Sequence, residues 1–207
     1  LGMAAGVRLT SNDMLHKGDW ITVKSVDANG IVEDMSLTTV KVRNFDNTIV
    51  TISPATLVNG SFQNWIGMQK SGGRRAKRIV YFDFRSIRLV DETLKQTLLA
   101  KHFATEDSFK LKESLQKAIE KDIQEGKDIE DLKNPAALAP TNLQLYRRFM
   151  EKYLRQRPEV NTELTLMVRH MEATQCGLPI EFYFFIKDKV WVNYEHILAD
   201  IMEHAYA

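Results

Sequence analysis

The stretch "LTTVKVRNFDNTIVTISPATL", Leu37 to Leu57, reads as two strands around a turn, followed by a proline and the start of a short helix. Phe45-Asp46-Asn47 closes the hairpin, because Asn and Asp tolerate the left-handed backbone of a tight turn. Ile49 to Ile52 is the return strand, and Pro54, which has no backbone donor, ends it.

The β pattern extends on both sides. Upstream, "WITVKSV" sets Trp20, Thr22 and Lys24 against Ile21 and Val23, and Asp27-Ala28-Asn29-Gly30 has turn composition. "IVEDMSLTTVKVRN" is expected to be one long strand bent near Asp34 to Ser36, and Phe62 to Trp65 a last short one. Five short strands in about fifty residues imply a small barrel or sandwich. An open five-stranded barrel has edges, and edges invite neighbours. Heterologous contacts between copies close into a ring when the rotation allows it.

Ile66 to Gly73 reads as a linker broken by Ser71-Gly72-Gly73, and the basic cluster Arg74, Arg75, Lys77 and Arg78 follows. "IVYFDFRSIRLV" is a predicted strand, and Glu92 to His102 a helix capped by Asp91. Thr105 to Glu125 is expected to be one charged helix, with Phe109, Leu111, Leu115, Ile119 and Ile123 as its stripe and Gly126 at its end. Asn134 to Pro140 reads as loop, and Thr141 caps a helix whose apolar side includes Leu143, Tyr146, Phe149 and Leu154. "ELTLMVRHME" and "IEFYFFIK" are strands around a turn at Cys176-Gly177, and Asn193 to Ala205 is the last helix. From Arg78 onward the order is β-α-(α)-α-β-β-α, an α+β sandwich resembling a ferredoxin-like unit with a helical insertion. The fold class is therefore mixed β and α+β.

Composition narrows the function. The chain has 207 residues, 44% of them hydrophobic, enough for one large domain or two small ones. Lys+Arg 28 against Asp+Glu 27 gives no global field for nucleic acid or an acidic membrane. The lone Cys176 excludes an internal disulfide. No stretch approaches the ~18 apolar residues that span a bilayer. A start at Leu1 rather than Met points to a piece of something longer.

The candidate chemistry is sparse. There is no G-x-S-x-G, phosphate loop or H-E-x-x-H, so an enzyme is not expected. Cys176 with His170 six residues earlier is an unsupported catalytic pair. His196, Asp200 and His204 stand at i, i+4, i+8 on the last helix, but zinc sites need three or four converging ligands and no metal is expected. The basic cluster after Gly73 suits phosphate or RNA in isolation, whereas a solvated charge run is the commoner explanation. In Leu1 to Met14, the run Ala4, Ala5, Gly6 is either a frayed terminus or a helix packing closely on copies of itself, since small residues let backbones approach.

Taken together, "AAGV" at Ala4 to Val7, Gly18-Asp19, "GIVEDMSLTTVKVRNFDNTIVTI", "SFQNW" before "SGGRRAKRIVYFD", "TNLQLYRRFMEKYL" and "ADIMEHA" resemble the small-conductance mechanosensitive channel (MscS) family, in its miniconductance subgroup, over essentially the whole chain. The resemblance implies a division into residues 1–16, the amphipathic end of a pore-lining helix and its elbow; 17–66, an Sm-like β domain; 67–78, linker and basic segment; and 79–207, an α+β vestibule domain with a helical insertion at about 104–139. It implies a homoheptamer in the inner membrane of a bacterium, this region lying on the cytoplasmic side and reaching the bilayer through membrane helices upstream. Membrane tension would open the pore to ions and small solutes during hypoosmotic shock, with no cofactor.

By the same resemblance Ala4, Ala5 and Gly6 pack the pore helix, and His16 and Lys17 face the membrane from the elbow. Gly18, Asp19, Gly30, Thr39, Arg43, Asp46, Asn47 and Pro54 form the β-domain signature, and Arg74, Arg75, Lys77 and Arg78 line the vestibule. Two departures stand out. Ser53-Pro54-Ala55 keeps the family's proline but loses the asparagine after it, and "NDMLHK" leaves only His16 and Lys17 where arginines are common. The alternative is an Sm-like RNA-binding or ring-forming interaction module; within the channel reading no nucleic acid is expected.

Overall fold

The structure, a computed structural model, describes residues 2–110, 113–126 and 139–207. The chain divides into two compact units, residues 1–72 and 73–207.

The first unit opens with helix α1 (Gly2–Ser11). Strands β1 (Trp20–Val23), β2 (Ala28–Met35), β3 (Val40–Asn44), β4 (Ile49–Ile52) and β5 (Gln63–Asn64) make one antiparallel sheet in the order β4-β3-β2-β1-β5. Helix α2 (Pro54–Asn59) follows β4, and α3 (Ile66–Lys70) follows β5. Along β2 the residues Ala28, Gly30 and Val32 are buried and their neighbours are not, the period of a sheet covered on one face. That buried face meets Leu9 of α1 and Leu57 of α2, with Ile21, Val23, Val40, Val42 and Ile52 between them. A short helix such as α1 is marginal alone, so the buried Leu9 and Ala5 hold it to the unit.

The second unit packs helices on a three-stranded sheet. Strands β6 (Arg74–Phe82), β7 (Met167–His170) and β8 (Leu178–Ile186) run antiparallel in the order β6-β8-β7. Helices α4 (Glu92–Ala100), α5 (Glu113–Gln124) and α6 (Asn142–Gln156) lie between β6 and β7 in the chain, and α7 (Trp191–Tyr206) ends it. Ile180, Phe182, Phe184 and Ile186 of β8 form a core with Leu143, Met150 and Leu154 of α6 and with Tyr194, Leu198 and Ile201 of α7.

Several boundaries differ from the sequence reading. The turn expected at Asp27 to Gly30 lies three residues earlier: Lys24–Val26 is a 3-10 turn closed by Asp27 at φ 52°, and Ala28 to Gly30 already belong to β2. The bent long strand from Ile31 to Asn44 is instead a hairpin, turning at Ser36 to Thr39, where Thr39 N–H and Thr38 N–H both donate to Ser36 Oγ. The basic cluster does not precede a strand but opens it, since β6 starts at Arg74 and stops at Phe82. Ile66 to Lys70, read as linker, is helical.

The helix expected from Thr105 is split. Thr105 and Ser108 cap each other in a 3-10 turn at Glu106–Phe109, Lys110 is extended, and α5 begins at Glu113. Leu111, the side chain of Leu115 and most of the loop read at Asn134 to Pro140 lie outside the described residues. The first strand after α6 is shorter than read, Met167–His170, and the last helix starts two residues earlier, at Trp191. The caps on α4 and α6 are as expected: Asp91 accepts from Leu94 N–H at 2.7 Å and Thr141 from Gln144 N–H at 3.1 Å. Among the described residues no helix is long and apolar enough to cross a membrane.

Candidate functional site

The elbow between α1 and β1 is organised by Asp19, only 6% exposed. Its carboxylate accepts from His16 N–H at 3.0 Å and from the Asn64 side chain at 2.8 Å. Its carbonyl accepts from Val32 N–H at 2.9 Å, while Gly18 N–H donates to Val32 O at 2.8 Å. Gly18 stands at φ +94°, which only a residue without a Cβ adopts freely, so the chain turns into β1 here. Asn64 also donates to Met14 O at 3.3 Å and accepts from Ile66 N–H at 2.9 Å, tying the elbow to β5 and α3. His16 stays half-exposed with its ring 3.0 Å from Asp13, and Lys17 is exposed.

The other signature residues shape the sheet. A Cβ on Gly30 would lie 1.9 Å from Arg43 O, so β2 and β3 approach there only because Gly30 has none. Arg43 donates through Nε to Glu33 at 3.1 Å across the same strand pair. Asp46 accepts from the Thr48 hydroxyl at 2.6 Å and its N–H at 3.0 Å, and these bonds hold its carboxyl below the usual range. Asn47 sits at φ 69°, the left-handed turn position. Thr39 bonds Ser36 in the neighbouring turn, and the buried Pro54 stands at the first position of α2 behind the Ser53 cap. In α1, Ala5 and Gly6 are buried while Ala4 is exposed, and a Cβ on Gly6 would lie 2.3 Å from Leu37 O. Gly6 therefore faces the β2–β3 turn of its own unit.

The four basic residues of β6 split between its two sides. Arg74 lies over the Tyr194 ring at 4.4 Å, and Arg78 faces Glu195 at 3.8 Å. Arg75 and Lys77 alternate with them; Arg75 lies 5.9 Å from the Tyr183 ring and Lys77 3.4 Å from Glu181. Glu181 is fully buried in the central strand, and Arg169 of β7 meets it at 2.7 Å from the other side. Burial pushes the Glu181 carboxyl up, but hydrogen bonds from Arg169 and Lys77 outweigh it and hold the group below its ordinary range. Two of the four, Lys77 and Arg78, thus face carboxylates, and the other two, Arg74 and Arg75, lie against aromatic rings.

His204 stacks on Tyr153 at 4.2 Å. Cys176 is exposed in the turn before Gly177. Among the described residues no group of three or more His, Cys, Asp or Glu side chains is placed to hold a metal ion.

Residues 1–67 match the family model described as the mechanosensitive ion channel β-domain. The matched residues take in nearly all of the first unit. The fold likeness runs further. Arabidopsis thaliana MSL1, solved by cryo-EM, covers 99% of this chain and 53% of its own at a TM-score of 0.59 and 10% identity. Helicobacter pylori MscS, in a closed-state crystal structure, covers 98% of this chain and 56% of its own at a TM-score of 0.56 and 13% identity. At such identities the likeness is one of fold, and this chain spans about half the length of either structure.

Within the first unit the sequence reading passed over an asparagine and tryptophan set. Trp20 and Trp65 stack at 4.5 Å, and Phe45 meets Trp20 edge-on at 5.3 Å. Asn29 Oδ1 accepts from Trp20 Nε1 at 2.9 Å and Thr22 Oγ1 at 3.0 Å, and Trp65 Nε1 donates to Thr22 Oγ1 at 2.9 Å. Asn44 Oδ1 accepts from Asn29 N–H at 2.8 Å. Asn64 was legible only as part of "SFQNW", because its partner Asp19 lies 45 residues away.

Proposed function

We propose that this chain is the vestibule region of an MscS-family mechanosensitive channel of the miniconductance subgroup. The match of residues 1–67 to the β-domain model carries the reading. In it the β-domain is Sm-like, the second unit is ferredoxin-like with a helical insertion, and seven copies close a ring. Helix α1 is the end of a pore-lining helix; Met3 and Val7, at 65% and 53% exposure, leave apolar surface on it for neighbours. His16 and Lys17 reach toward the bilayer. Tension opens the pore and ions and small solutes leave during hypoosmotic shock, at the inner membrane of a bacterium, with no covalent chemistry or cofactor. Strands β4 and β5 end the sheet order of the β-domain, which supports edge contacts between copies.

The alternative, an Sm-like RNA-binding module, is less well supported, because Lys77 and Arg78 face carboxylates at 3.4 and 3.8 Å. The test is patch recording from cells that lack other tension-gated channels and express the full-length protein containing this chain. A tension-dependent conductance, with a threshold shifted by a bulky residue at Ala4 on the open side of α1, is expected. Absence of any tension response with the protein present in the membrane would overturn the reading.

A further inference from the structure

We propose that the cleft between α4, α6 and α7 of the second unit binds a single-chain amphipathic carboxylate. The cleft has two compartments that share Phe103, Leu145, Phe149 and His204. One, of about 420 Å³, takes its charge from Arg148 and Lys152 and is also lined by the rings of His102 and His204. The other, of about 330 Å³, is apolar and is walled by Leu94 and Leu98 of α4 and Met150 of α6. Both volumes fall in the range of small-molecule sites.

These four polar side chains come from three separate elements. Arg148 and Lys152 stand at i and i+4 and so share one face of α6. His102, at φ 58°, sits where the chain leaves α4, and His204 comes from α7. Among the described lining residues of both compartments there is no carboxylate side chain. Among the described residues, Glu151 meets Arg155 at 3.1 Å and Glu106 meets Lys95 at 3.4 Å. The walls are set by ring contacts, Phe103 on Phe149 at 5.3 Å and His204 on Tyr153 at 4.2 Å. Phe103 nevertheless remains 46% exposed, an apolar cost that an occupant would remove. A simple anion would use the basic compartment and leave the apolar one empty; a neutral chain would do the reverse. A carboxylate on an apolar tail fills both.

The test is calorimetric titration of the 207-residue chain with decanoate, decanol and acetate. Saturable binding of decanoate, about ten-fold or more tighter than either partial ligand, is expected. R148Q/K152Q should weaken decanoate about ten-fold, and Leu98→Trp, which fills the apolar compartment, should abolish binding; K152Q alone, at an exposed position, serves if the double variant loses its circular dichroism melt. Decanol binding as tightly as decanoate, or decanoate binding unchanged in the folded charge and Leu98→Trp variants, would overturn the proposal.

Discussion

Asn64 donates to the buried carboxylate of Asp19 at 2.8 Å across 45 residues of chain, and this bond joins the last strand of the first unit to the elbow just before its first. Replacing Asn64 with Leu leaves Asp19 with His16 N–H alone and frees Met14 O and Ile66 N–H. A loss of about 1–3 kcal/mol in stability is expected from unmet buried polar groups, read by urea unfolding followed through tryptophan fluorescence. An unchanged midpoint would show that the elbow does not depend on this link.

Gly30 gives a sharper case. A methyl there meets the Arg43 carbonyl at 1.9 Å, and backbone on both sides has nowhere to go. Gly30→Ala is expected to cost at least the roughly 1–3 kcal/mol of ordinary overpacking and to shift the β2–β3 register. Amide exchange should then rise first at Ile31, Val42 and Arg43, while β6 to β8 of the second unit keep their protection.

Leu9 holds α1 to its own unit with no exposed surface. Leu9→Ala is expected to cost about 2–5 kcal/mol, the range for buried leucines. Limited proteolysis should cut between Gly2 and Ser11 in the variant long before it cuts the parent chain.

How far this was legible depends on the range of the forces. The hairpin at Phe45 to Asn47 and the caps Asp91 and Thr141 are local, and residues within three positions decide them. The turn at Asp27 was misplaced by a few residues because Gly30 signals two things. Its missing Cβ suits a turn, but here it serves a close strand crossing that depends on Arg43, which local sequence cannot reveal. The break at Lys110 was hidden for a related reason: the helical stripe from Phe109 continues in sequence, while the Thr105–Ser108 reciprocal cap ends the first turn. The basic cluster looked free because its carboxylates, Glu181 and Glu195, lie a hundred residues further on.

Glu181 also sets an acid limit. Its folded pKa lies below its ordinary value, so its contribution is full above that ordinary value, near 4.5, and is lost as pH falls through the depressed one. Glu181→Gln should flatten the acid limb of the stability profile and lower stability at neutral pH, by less than the roughly 3–5 kcal/mol of a fully buried pair, since Lys77 and Arg169 are half exposed. An acid limb as steep in the variant as in the parent chain would assign it to other carboxylates.

At the alkaline end Tyr146 takes over. Its hydroxyl donates to Ala205 O at 2.6 Å, and burial pushes its pKa up from 10.0 to about 12. The folded state thus disfavours the phenolate. Its contribution is complete below pH 10 and declines as pH rises toward 12. Tyr146→Phe should cost about 1 kcal/mol at neutral pH and remove one late-titrating phenol from the ultraviolet absorbance profile.

The pairing of β6 with β8 has a mechanical consequence. The chain leaves the first unit at Gly72 and is at once bound, Arg74 to Ile186, with all nine residues of β6 paired along β8. A pull passed down the chain along that strand loads the rungs in parallel, as in a lap joint, whereas a pull across it peels them one after another. The entry strand thus makes the second unit stiff to one direction of force and compliant to the other.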